Sequence, residues 1–157
     1  MRRAEQLRYL ILAAQREGNR QLAVQLSEIG LTPAQAEALR IVADHGPLAL
    51  KELGDMLVCD SGTSPSRIVD RLVSAGLVQR TTSAHDRRQL RLTLTAQGRA
   101  QARRVAEIED QLYDLLDQAG AETDLDALIA FLDAFTRESA AGLALAQRLA
   151  AEKARTA

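Results

Sequence analysis

The sequence predicts a mainly α-helical chain with one small β-hairpin, and three observations predict it. Leu90, Leu92 and Leu94 alternate with Arg91, Thr93 and Thr95, the period-two signature of a half-buried strand. A partner strand begins at Leu77-Val78 behind Gly76, and polar Ala84-His85-Asp86-Arg87-Arg88 lies between the two as a projecting tip. Apolar residues elsewhere recur at helical spacing, punctuated by proline and glycine.

The helices follow in order. Residues 4–27 carry an interrupted apolar stripe of Leu7, Leu10, Ile11, Ala14, Leu22 and Leu26, which Gly30 ends. Thr32-Pro33-Ala34-Gln35 starts a second helix, with Thr as cap, Pro in the first turn and Gln at the capping-box position. That helix carries Ala38, Leu39, Ile41 and Val42 and stops at Gly46-Pro47. A third spans Leu50 to Val58, with Leu50, Leu53, Met56 and Leu57 expected to face inward. After a turn at 59–63, Ser64-Pro65 starts a fourth by the same cap-then-proline logic. Its buried stripe is Ile68, Val69, Leu72 and Val73, and Gly76 is placed for a left-handed stop. After the hairpin a long helix over about 96–118 carries Val105, Ile108, Leu112, Leu115 and Leu116. Beyond Gly120 a single last helix is expected, from Leu125, Leu128, Ile129, Leu132 and Phe135 on to Leu143, Leu145 and Leu149.

A pair of short helices followed by a basic hairpin is a winged helix-turn-helix, an architecture that points to DNA. The fourth helix leaves Ser64, Ser66, Arg67, Asp70, Arg71 and Ser74 near its exposed side, and small hydroxyls with arginines near a helix N-terminus suit the major groove.

Net charge hides this. The whole chain carries -1, yet residues 61–104 hold nine arginines against Asp70 and Asp86. Residues 105–140 hold ten acids against Arg137 alone. A basic block touching a polyanion, with an acidic block held away from it, accounts for the asymmetry, and solvated faces are the plainer alternative. Arginine outnumbers lysine 18 to 2, which reads as base-composition bias, so the choice of Arg over Lys says little.

At 157 residues the chain is one domain or one domain with helical extensions. The only aromatics are Tyr9, Tyr113, Phe131 and Phe135, so the core is aliphatic and suits helix packing. No apolar run approaches the roughly 18 residues that span a membrane. Glu5 and Arg8 interrupt the N-terminal apolar patch, which argues against a signal peptide. One cysteine excludes an internal disulfide, and a cytoplasmic protein is expected. One Cys and two His leave no four-ligand zinc site, and no phosphate loop or nucleophile constellation is present. The expectation is no enzyme, no cofactor, no metal and no membrane.

Single residues carry sharp and plain readings together. Arg88 at the tip suits entry into a narrow, A·T-rich minor groove, with Asp86 orienting the tip arginines and Arg87 along phosphate; the plain reading is a solvated turn with a local ion pair. His85 suits a phosphate contact or an ordinary exposed loop. His45 reads as a helix-end residue. Cys59 has Asp60 as its nearest charge in sequence, which works against a thiolate, so it reads as a small buried packing residue.

The first helix and the last two are more apolar than a small winged helix needs, which predicts a two-fold dimer rather than intrachain packing alone. The expected division is a reading core over about 32–95, dimerisation helices over about 4–27 and 96–150, and a tail at 151–157.

Over residues 5 to 140 the sequence resembles the MarR family of bacterial transcriptional regulators. The carriers are KELGDML (51–57), SRIVDRLVSAGLVQR (66–80) and DRRQLRLTLTAQGR (86–99), the last with the family's D-x-R, here Asp86 and Arg88, and its closing Leu94-Thr95. Any one alone is weak; together, in this order, they are specific. The turn Val58 to Ser64 is about one residue longer than usual, and Pro65 replaces a residue that is more often not proline. The resemblance implies a homodimer binding double-stranded DNA at a pseudo-palindromic operator, usually as a repressor. It also implies a small, often phenolic effector bound between the reading domain and the dimer helices. The candidate DNA-binding residues, from the helix face and the wing tip together, are Ser64, Ser66, Arg67, Arg71, His85, Asp86, Arg87 and Arg88. The rival reading is a winged helix that serves as a protein-interaction module, with DNA binding weak or lost.

Overall fold

The structure is a computed structural model that describes residues 1–59, 62–82 and 90–156. Among the described residues seven helices and two antiparallel strands follow one another as α1 (Arg3–Glu28), α2 (Pro33–His45), α3 (Leu50–Met56), α4 (Pro65–Ser74), β1 (Val78–Thr82), β2 (Leu90–Leu94), α5 (Ala96–Gly120), α6 (Leu125–Thr136) and α7 (Ala140–Thr156). The order and the hairpin are those of a winged helix.

Local chemistry sets most boundaries. Thr32 Oγ1 accepts from Gln35 N at 3.3 Å while Gln35 Oε1 accepts from Thr32 N at 2.9 Å, the reciprocal cap the sequence predicts. Gly76 closes α4 at φ +70°, a backbone state that costs glycine little. Thr95 caps α5 through its hydroxyl, which accepts from Gly98 N at 2.9 Å. Gly98 itself passes against the Leu77 carbonyl so closely that a Cβ there would overlap the oxygen.

The core is aliphatic. Leu26 of α1, Leu39, Ile41 and Val42 of α2, Leu53 of α3, Val69 and Leu72 of α4, Val78, Leu92 and Val105 meet with almost no exposure. The hairpin pairs Val78 with Leu94 and Thr82 with Leu90. Leu48, between α2 and α3, adds a backbone bridge to Leu92, donating to its carbonyl at 3.3 Å and accepting from its amide at 2.8 Å.

Four expectations are corrected. α3 ends at Met56, not Val58, because the Glu37 carboxylate of α2 accepts the amides of Val58 and Cys59, both at 2.9 Å, and turns the chain out of the helix. Leu50 opens α3 and is exposed; Leu53 and Met56, a turn further on, take the inward face. Leu90 is exposed because it sits at the end of β2 away from the core, so only Leu92 of the three alternating leucines is fully buried. The expected single last helix is two. Arg137 follows α6, and Ser139 starts α7 by accepting from Gly142 N at 3.1 Å. Gly142 packs so tightly on the Thr136 carbonyl that a side chain there has no room. α7 continues through residues 151–156.

The first and the last three helices expose large apolar residues: Leu7, Leu10 and Ile11 on α1, Leu115 and Leu116 on α5, Leu128, Ile129, Phe131 and Phe135 on α6, and Leu143, Leu145 and Leu149 on α7. Among the described residues no helix is long and apolar enough to cross a membrane.

Candidate nucleic-acid interface

Helix α4 buries Ile68, Val69 and Leu72 and turns the opposite side outward. Ser64, Ser66, Arg67, Asp70, Arg71 and Ser74 are all exposed on it, as the apolar spacing requires. Ser64 occupies the N-cap position, but its hydroxyl does not cap the helix. It lies 3.1 Å from the Ser66 hydroxyl. The first turn therefore presents two neighbouring hydroxyls, a proline with no amide hydrogen, and Arg67. Arg71 sits in the last turn and lines a cleft shared with Asn19 and Ala23 of α1 and Gln35 of α2.

Two ion pairs fix the hairpin to the helix pair. Arg80 Nη2 of β1 meets Asp70 Oδ1 of α4 at 2.5 Å, and Arg91 Nη1 of β2 meets Glu52 Oε2 of α3 at 2.6 Å. The same Glu52 oxygen accepts from Ala49 N at 2.6 Å, so one carboxylate both starts α3 and holds β2. Arg99 donates to the Leu94 carbonyl at 3.0 Å. Arg80, Arg91 and Arg99 belong to the basic block of the sequence, yet each has a partner inside the fold. Regional charge alone missed this. His85, Asp86, Arg87 and Arg88 lie outside the described residues.

Behind this face sits a charged layer between α2, α5 and α7. Arg40 Nε donates to Glu109 Oε2 at 3.2 Å, and its Nη2 lies 3.6 Å from Asp44 Oδ2. Burial pushes the Glu109 carboxyl above its ordinary range, against the opposing pull of Arg40 and Arg148. Burial likewise raises the Tyr113 hydroxyl, one turn along α5. Arg148 of α7 faces Glu37 at 3.7 Å, and Arg155 Nη1 donates to the Asp44 carbonyl at 2.9 Å. Glu37 and Glu52 were not singled out in the sequence. Glu52 carries a local signal, three residues beyond a helix start, whereas Glu37 carries none, because its partners are distant. Cys59 is half-buried against the core, less enclosed than a packing cysteine, and His45 is the last residue of α2.

Residues 29–89 match the family model described as MarR family. The organic hydroperoxide resistance transcriptional regulator of Bacillus subtilis is 30% identical over 122 residues, which cover 78% of this chain and 82% of that protein. The chain belongs to the MarR family. Among solved structures, a mutant MarR from E. coli complexed with operator DNA is 29% identical, with a TM-score of 0.64 over 80% of this chain and 89% of that one. BpsR of Bordetella bronchiseptica, 21% identical, shares the fold at a TM-score of 0.71 over 88% of this chain and 98% of that one. MarR proteins are transcriptional regulators, not enzymes, and this member has their DNA-binding winged-helix fold.

Proposed function

We propose that this MarR-family regulator acts in the cytoplasm as a homodimeric repressor of a pseudo-palindromic operator, released by a small, often phenolic effector. The observation that carries the DNA reading is the outward face of α4, where Ser64, Ser66, Arg67 and Arg71 stand exposed over a fully buried stripe. Such a face enters the major groove with its N-terminal residues toward base edges. The E. coli relative complexed with operator DNA supports this placement. At the wing tip Arg88 enters the flanking minor groove, Arg87 lies along phosphate, Asp86 orients them and His85 adds a phosphate contact.

Two further features support the assembly. The apolar residues exposed on α1, α5, α6 and α7 belong against a second copy, and a two-fold axis matches paired half-sites. On this reading residues 32–95 form the reading core, 4–27 and 96–150 dimerise, and 151–157 are accessory. The effector binds between the reading core and those helices.

A gel-shift on the DNA upstream of the chain's own gene tests the function. Binding should weaken steeply with salt, since each phosphate contact adds about -0.9 to the log–log slope. A binding constant indifferent to salt, or no binding, would favour the protein-interaction module. Sedimentation as a stable monomer at micromolar concentration would remove the dimer.

A further inference from the structure

Val58 and Cys59, which follow α3, are held by a residue of another helix. After Met56 the chain leaves α3, and the amides of Val58 and Cys59 both donate to Glu37 of α2, one to each carboxylate oxygen, at 2.9 Å. Only 13% of the Glu37 side chain is exposed. A carboxylate so enclosed loses much of its hydration, and two amide donors replace only part of it. The remaining compensation comes from α7, where Arg148 Nη1 lies 3.7 Å from Glu37 Oε1 with its own side chain 25% exposed. α7 also faces Val58 and Cys59 across a cleft. A cleft of about 660 Å³ separates Val58, Cys59 and Pro65 from Ala140, Leu143 and Ala144.

We propose that Glu37 is a positioning residue for operator recognition, and that Arg148 makes its grip depend on where α7 sits. With Arg148 in place the carboxylate stays inside and fixes the two amides, which lie a few residues ahead of Ser64 and Pro65 at the start of α4. With α7 displaced, Glu37 loses its counter-charge, turns to water and releases them. This rests on the reading that α4 faces DNA, and it assigns a coupling route from the C-terminal helix to the reading face.

The test compares Arg148→Ala, Arg148→Lys and Glu37→Gln in the full chain. Without DNA, amide exchange at Val58 and Cys59 should speed up on the order of 5- to 30-fold in Arg148→Ala and return toward wild type in Arg148→Lys. The ion pair needs charge rather than a forked donor. Unchanged exchange at these two amides would overturn the clamp, whatever happens on DNA. With DNA, the probe is the duplex that wild-type protein recovers from a random-sequence pool, against a scrambled duplex of equal length. Arg148→Ala should lose affinity on the order of 5- to 30-fold for the recovered duplex and little for the scrambled one, because only base readout needs the placement of α4. Equal losses on both, or none, would overturn the coupling while leaving DNA binding intact. Combining Glu37→Gln with Arg148→Ala should cost no more than Glu37→Gln alone; additive losses would break the proposed chain of contacts. If Glu37→Gln fails to fold, the alanine and lysine variants of Arg148 still decide. If wild type recovers no duplex, the functional reading falls and the exchange experiment still judges the clamp.

Discussion

Arg80 on the first wing strand reaches Asp70 on the recognition helix, with nitrogen and oxygen 2.5 Å apart. The pair fixes the angle between the two elements that would meet adjacent grooves of one duplex. It is well exposed, so its contribution to folding is small even at that distance. Asp70→Asn and Arg80→Ala should each shift unfolding by no more than about 1 kcal/mol. Operator selectivity should fall further, since the wing then docks at a less defined angle. A double-mutant cycle on operator binding, beside one on urea unfolding, checks this. Equal coupling in both would reduce the pair to a surface ion pair.

Arg67 and Arg71 should differ although both are exposed. Arg67 lies in the first turn of α4 and Arg71 in the last, beside the cleft with α1. Residues near the start of a recognition helix meet base edges. Arg67→Ala should therefore cost on the order of 1–3 kcal/mol and relax discrimination at one base pair. Arg71→Ala should weaken all duplexes alike. Titration against single-base-pair variants separates the two, and an unchanged profile for both would move the reading face elsewhere.

Gly98→Ala should destabilise the chain. The added methyl meets the Leu77 carbonyl oxygen, which already accepts from Thr95 N at 3.0 Å, so neither side gives way easily. Overpacking of this kind costs about 1–3 kcal/mol. A urea midpoint equal to wild type would show that α5 can shift without penalty.

Glu109 predicts a pH effect. Burial raises its carboxyl in the folded chain, so the folded state holds its proton to higher pH than the unfolded state does. Stability from this group is greatest below the ordinary carboxylate value and declines as pH rises through the raised folded value. Glu109→Gln should flatten that decline at the cost of the Arg40 pair. Unfolding measured from acid to neutral pH reads it, and an unchanged slope would refute the assignment.

What the sequence disclosed and what it hid divide by range. The cap at Thr32 and Gln35, the stop at Gly76 and the stripe Ile68, Val69 and Leu72 are decided within a few residues, and all were legible. The end of α3 was not, because Glu37 captures its amides from a different helix. The break between α6 and α7 was masked by leucines that keep helical spacing across it, although Ser139 and Gly142 held a local signal. At the interface, the apolar spacing of α4 identified its outward face. Only three-dimensional pairing revealed that Arg80 and Arg91 serve the architecture of the wing.

The bridge between Leu48 and Leu92 bears on how the chain acquires its shape. Those two backbone bonds close a loop that contains α3, α4 and all of β1. Closing so long a loop costs entropy that is recovered only when the enclosed helices have packed. The strand pairing of β1 with β2 is local, whereas the bond to Leu48 is long-range, so the wing's attachment to the turn between α2 and α3 depends on the packing of the helices between them. A truncation anywhere before Leu92 would lose more than the hairpin, because it would strip the turn between α2 and α3 of the partner that fixes it.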